Sequence, residues 1–133
     1  RGKYLATLGS CASCHTPTKG YEPLAQMDFA GGMRFKGPWG DVTSANITPD
    51  ASGISYYDEA LFIETLRTGH VGARKLAPIM PWGYFRNMTD DDLKAIFAYL
   101  RTLPPVKHRV DNTEAATACR VCGARHGHGE MNQ

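Results

Sequence analysis

Cys11-Ala12-Ser13-Cys14-His15 is the stretch that most constrains what this chain can fold into. Two cysteines three positions apart, with a histidine directly behind the second, form the attachment signature of a covalent c-type haem. On that reading Cys11 and Cys14 form thioethers with one porphyrin, and His15 becomes the proximal ligand of its iron. Two other readings compete. A thioredoxin-like redox pair wants a preceding strand and a βαβ pattern, and neither is present. A zinc ribbon would pair this motif with Cys119-Arg120-Val121-Cys122, but ribbon pairs are usually about 15–20 residues apart and these lie at opposite ends of the chain.

Composition is consistent with a fold built around a cofactor. At 133 residues there is room for one domain. Large aliphatic residues are sparse, while 14 glycines and 8 prolines interrupt the chain, so side chains alone build a core with difficulty and a buried porphyrin would supply an apolar centre. Charged residues make up 21% and the formal net charge is +2, too mild a balance to argue for nucleic acid or an anionic membrane surface. No apolar run approaches the ~20 residues of a membrane span. The chain opens on Arg1 rather than Met, from which a removed leader or a fragment is expected. Haem attachment of this kind takes place outside the bacterial cytoplasm, so a periplasmic or otherwise extracytoplasmic location is expected.

Three helices are legible. The first is expected from about Lys3 to Ser10, with Tyr4, Leu5 and Leu8 on one face. The second should begin near Ser55, with Ser55 and Asp58 as a capping-box-like pair, Leu61, Phe62 and Leu66 as its apolar stripe and Gly69 as its terminator. The third follows Thr89, spaced from Asp92 as in a capping box; Asp90, Asp91 and Asp92 suit the positive end of the dipole. Leu93, Ile96, Phe97, Leu100 and Leu103 recur at helical spacing, and Pro104-Pro105 stops the run. Between the first two helices, Pro17 to Gly53 has no sustained period and is expected to drape over the cofactor.

A haem held by His15 needs a second axial ligand, histidine for low potential or methionine for higher. Among Met27, Met33, Met80, Met88 and Met131, Met80 stands in a rigid frame because Pro78 and Pro81 restrict the backbone on both sides. It is the expected ligand, against the plainer reading of a hydrophobic plug; His70 is the rival.

Residues 107–133 are polar and contain Cys119, Cys122, His126 and His128. Three readings stay open: a Cys119–Cys122 disulfide, a zinc or copper site made of those four residues, or a decayed haem site in which Gly123 stands where the proximal histidine belongs. Without a metal or a partner this tail is expected to be mobile.

The chain resembles the class I cytochromes c, and more narrowly the haem domains of cytochrome subunits of bacterial membrane-associated alcohol and sugar dehydrogenases. The resemblance is carried by Gly2 and Tyr4 ahead of Cys11–His15, Phe29-Ala30-Gly31-Gly32, Asn46-Ile47-Thr48-Pro49-Asp50, Gly53-Ile54, Leu66-Arg67-Thr68-Gly69, Pro78-Ile79-Met80-Pro81, and Asp90-Asp91-Asp92-Leu93 leading to Tyr99-Leu100. It implies an all-α class I cytochrome c fold, three core helices wrapped with long loops around one covalent haem c, over residues 1–106, with 107–133 as a polar tail. It further implies thioethers at Cys11 and Cys14, iron ligation by His15 and Met80, a crossing of the first and third helices with Gly2 close to Tyr99, and a haem edge lined near Trp39 and Asn46. The family's tryptophan before the second helix is missing from Ser55-Tyr56-Tyr57.

The expected function is one-electron transfer between redox protein partners, a donor and an acceptor, met transiently or inside a complex, with no substrate chemistry at the metal. The alternatives are a haem-based gas or redox sensor, in which the methionine leaves, and an electron-transfer subunit whose tail binds a metal or docks a larger assembly.

Overall fold

The structure is a computed structural model and describes residues 1–133. The first helix, α1 (Gly2–Leu8), ends at Gly9. The chain then reverses through Ser10, which takes a left-handed conformation at φ 57°, into the single turn α2 (Cys11–His15). α3 (Glu59–Thr68) is capped by the Asp58 carboxylate, which accepts from the Leu61 N–H; the start expected near Ser55 therefore moves to Asp58, and Ser55 lies in the turn before it. Gly69 ends α3 at φ 72°, a left-handed C-cap that costs glycine nothing. α4 (Trp82–Phe85) is a single turn after the Pro81 corner. α5 (Asp90–Leu100) starts where the Thr89 hydroxyl accepts from the Asp92 N–H, as the spacing predicts.

The two helices beyond the expected three are one-turn segments at chain reversals. An all-helical description covers the core and leaves out the loops, where four two-stranded antiparallel hairpins form: 18–19 with 22–23, 34–37 with 40–43, 70–71 with 74–75, and 116–118 with 125–127. Strands of two to four residues bury little, apart from Thr43 and the His126–Gly127 end of the last hairpin. They satisfy backbone groups where the chain doubles back without helical period.

The main core lies between α1, α3 and α5 and includes Ala6, Phe62, Leu66, Leu93, Ile96, Phe97 and Leu100, with Phe29, Ile54 and Tyr57 from the loops. Phe62 and Phe97 stack at 5.1 Å between ring centroids. α1 crosses α5 so closely that a Cβ on Gly2 would lie 2.0 Å from the Ala95 carbonyl oxygen and 2.8 Å from Tyr99 Cβ. Glycine at position 2 sets the depth of that crossing.

The tail adds a second, smaller core of Met27, Ala30, Cys119 and Cys122, with Leu24, Val106 and Val121 against it. Its segments are tied to the preceding loop by side-chain amides. Asn112 exchanges hydrogen bonds with the Thr43 backbone at 2.9 Å in both directions, and Asn132 does the same within the tail at Arg109. The sequence reading missed this packing because it looked for aliphatic residues, whereas the buried side chains here are cysteine and histidine. No helix is long and apolar enough to cross a membrane.

Candidate functional site

Within α2, Cys11, Cys14 and His15 are spaced i, i+3 and i+4, so one helical turn presents them on a single face. Cys11 and Cys14 are free and half-buried. Burial pushes the Cys11 thiol above its ordinary range, opposed by a backbone hydrogen bond. The His15 ring is directed by Ala45: its Nδ1 lies 2.7 Å from that carbonyl oxygen. A carbonyl can only accept, so Nδ1 carries the proton and Nε2 keeps a free lone pair. Desolvation pulls the His15 pKa down, with the Ala45 hydrogen bond opposing it, which favours the neutral ring that a metal requires.

Two adjoining cavities meet at this face. One of about 270 Å³ is lined mainly by apolar groups, Leu5, Phe62, Leu66 and Leu100 from α1, α3 and α5 and Ile47 and Ile54 from the loop before α3. The other, about 600 Å³, is more polar and carries Trp39, Asp41, Arg74, Lys75, Asn112 and Thr113. Cys14, His15, Ala45, Ile79, Met80 and Pro81 belong to both walls, and Cys11 to the apolar one.

Met80 reaches this junction on a stiff loop. Its N–H donates to the Ala77 carbonyl at 3.0 Å, and its own carbonyl accepts from the Trp82 N–H at 2.8 Å. The Trp82 indole packs on the C-terminal end of α3, against Gly69, where a Cβ would come within 2.3 Å of the ring. Arg67 closes the far end of the loop, donating to the carbonyls of Arg86 and Met88 and to the Asp90 carboxylate. Met88 also lines the apolar cavity. His70 is exposed in a hairpin, its Nδ1 3.0 Å from the Thr68 carbonyl, and lines neither cavity. The donor set of two thiols, one oriented imidazole and a thioether, around an apolar slot with a polar mouth, fits a covalently attached haem.

Trp39 lies in the wall of the polar cavity. Asn46 does not reach either cavity. It is buried, 4% exposed, and its amide is fully engaged: Nδ2 donates to the Val106 and His108 carbonyls at 2.8 and 3.0 Å, and Oδ1 accepts from the Thr48 N–H and hydroxyl at 2.9 and 2.8 Å. Asn46 is therefore a strut between the loop beside His15 and the start of the tail, with no polar atom left for a cofactor edge.

In the tail, Cys119, Cys122 and His126 converge, and both cysteines are free thiols. His128 does not join them. Its φ of 60° takes it out of the strand that ends at Gly127, so the same-face relation of positions i and i+2 is broken. Its ring turns to the Asp111 and Glu130 carboxylates at 3.7 and 3.9 Å. His108, which sequence reasoning did not select, takes the fourth place. It sits between Lys107 and Arg109 in a run that looks like solvated surface, yet it is fully buried. No local sequence pattern separates it from His70 or His128; its burial against the two cysteines does. Without a cation, burial pushes the Cys122 thiol up to about 11.

The family model described as cytochrome c matches residues 1–104. The cytochrome c subunit of the quinone-dependent alcohol dehydrogenase of Gluconacetobacter polyoxogenes is 41% identical over 101 residues, 74% of this chain and 20% of that protein. The fructose dehydrogenase cytochrome subunit of Gluconobacter japonicus is 38% identical over 104 residues, 77% of this chain and 20% of its own length. The gluconate 2-dehydrogenase cytochrome c subunit of Pantoea cypripedii is 40% identical over 101 residues, 74% of this chain and 22% of its length. The chain thus spans about a fifth of the length of these three relatives.

Proposed function

Because the chain belongs to the cytochrome c family, we propose that it is a single-haem electron carrier working outside the cytoplasm, with His15 and Met80 as the two axial ligands of one covalently held haem. The observation that carries this reading is the His15–Ala45 hydrogen bond at 2.7 Å, which leaves Nε2 free in a wall shared with Met80. When bound, the haem supplies a one-electron ferric/ferrous couple. Cys11 and Cys14 would hold the macrocycle as thioethers, so that it is retained through repeated encounters. The Ala45 carbonyl keeps the His15 ring oriented and makes it a better donor. The apolar side chains of α1, α3 and α5 exclude water, which disfavours added charge on the metal and moves the potential upward in the same direction as methionine ligation. Arg74, Lys75 and Trp39 in the polar wall suit the carboxylates of the haem and form the rim a partner would meet.

With His15 and Met80 both holding the iron, no coordination position would remain for a substrate, and the role of the chain would be to pass electrons. The relatives named as cytochrome subunits of alcohol, fructose and gluconate dehydrogenases support a dehydrogenase as electron donor. A redox protein would be the acceptor. Met80→Ala in the ferric holoprotein tests the ligand assignment. Loss of the methionine–iron charge-transfer band and new carbon monoxide binding by the reduced form are expected, while Met88→Leu keeps the wild-type spectrum. A Met80→Ala spectrum identical to wild type refutes the ligation. Ready carbon monoxide binding by the wild type favours a sensor instead.

A further inference from the structure

We propose that His108, Cys119, Cys122 and His126 form a structural zinc site that clamps the tail onto the loop behind His15. The four side chains are buried, between 0 and 9% exposed, and their ligand atoms all lie within 4.8 Å of one another. Cys119 Sγ is 3.5 Å from His108 Nε2, and Cys122 Sγ is 3.5 Å from His126 Nε2. Tetrahedral zinc, with Zn–S about 2.3 Å and Zn–N about 2.0–2.1 Å, requires adjacent ligand atoms roughly 3.3–3.8 Å apart.

The surroundings of the four atoms agree with a cation among them. Both imidazoles are directed by backbone carbonyls: His108 Nδ1 lies 2.7 Å from the Ala30 oxygen, and His126 Nδ1 lies 3.0 Å from the Gly127 oxygen. Each Nδ1 therefore carries the proton, and each Nε2 turns a lone pair toward the sulfurs, the arrangement that outer-shell partners impose on metal-binding histidines. Cys119 Sγ receives the Cys122 N–H and the Asn132 amide, both at 3.5 Å. As zinc enters, the two thiol protons leave to solvent. Two thiolates then balance the 2+ charge, so the buried set carries no net charge, which meets the main objection to placing ions in an interior. Four protein ligands of S2N2 type leave no open position, which assigns the site to structure and favours zinc over copper or magnesium.

The placement gives the clamp a target. The Ala30 carbonyl that directs His108 is one residue from Gly31, whose N–H donates to the His15 carbonyl at 2.6 Å. The His108 carbonyl accepts from Asn46, the neighbour of Ala45. An ion at this site would therefore hold the two backbone segments that fix His15. The zinc assignment does not depend on the haem reading, and iron content reports on that separately.

Native mass spectrometry, elemental analysis and zinc-edge X-ray absorption on the full-length holoprotein, after equilibration with zinc chloride, test the assignment. One zinc per chain is expected, with two sulfur and two nitrogen neighbours. Cys119 and Cys122 should become alkylatable only after denaturation in chelator. His108→Ala should lower zinc to well under a tenth of an equivalent, and His128→Ala should leave one full equivalent. If His108→Ala does not accumulate, the wild type and His128→Ala still settle the matter. A wild-type chain two hydrogens lighter with no metal, a copper or iron–sulfur occupant, or zinc lost in His128→Ala would each overturn it.

Discussion

Replacing Asn46 by alanine separates a structural strut from a cofactor contact. The amide donates to two buried carbonyls, Val106 and His108, and accepts from the Thr48 N–H and hydroxyl. In Asn46→Ala the Thr48 hydroxyl, already 3.4 Å from the Val106 oxygen, can turn to serve it. The His108 carbonyl and the Thr48 N–H are left without those partners. At about 1–3 kcal/mol for each of the two stranded buried groups, the expected loss is about 2–6 kcal/mol. Asn46→Asp keeps the acceptor for Thr48 but sets a carboxylate against two carbonyl oxygens. It should lose at least as much at neutral pH, and should recover relative to alanine on acidification, because the protonated acid can donate again. Guanidinium unfolding of the ferric holoprotein, followed by far-ultraviolet circular dichroism with unchanged m-value, measures the loss. The visible spectrum of the folded variants should stay that of the wild type. A stability change below about 0.5 kcal/mol together with a shifted haem spectrum would refute the strut and return Asn46 to the cofactor edge.

Gly2→Ala should destabilise by about 1–3 kcal/mol in the same unfolding assay, because the new Cβ meets the Ala95 backbone and Tyr99 Cβ and α1 must lift from α5. A gain of stability, the usual result of glycine to alanine in an open helix, would mean the crossing is looser than described. Asp50 is held below the usual carboxylate range, first by the Ser52 hydroxyl and then by the Ser52 N–H. A carboxylate with a lowered folded pKa contributes stability that is present above its unfolded value of about 3.9 and is lost as pH falls through the folded value. Asp50→Asn should therefore flatten part of the acid limb of a stability–pH curve below about pH 4. An unchanged acid limb would refute the contribution of Asp50.

How much was legible follows the range of the interactions. Helix boundaries set by local hydrogen bonds were readable: Thr89 caps a residue three positions on, and Gly69 ends α3 through its own φ. Ser55 misled because two polar residues three positions apart, Ser55 and Asp58, each offered a local cap, and the folded chain uses Asp58. Asn46 misled for the opposite reason: its partners at Val106 and His108 are about sixty residues away, and no local pattern announces them.

The sequence by itself determined the haem-type donor triad, because Cys11, Cys14 and His15 lie on one helical turn and their mutual geometry needs nothing beyond that turn. It also determined the proline-framed loop of Met80, since Pro78 and Pro81 restrict the backbone wherever the loop is placed. The tertiary structure alone decided that His15 is directed by Ala45, thirty residues on, and that Met80 shares its cavity walls. It likewise decided that His108 and not His128 completes the buried cysteine–histidine set. One left-handed residue at His128 turns a ring out to solvent-facing carboxylates, while a carbonyl seventy-eight positions from His108 turns the other ring in. Backbone conformation at one residue and packing between distant segments are both settled by the folded whole, which is why composition and spacing did not reveal them.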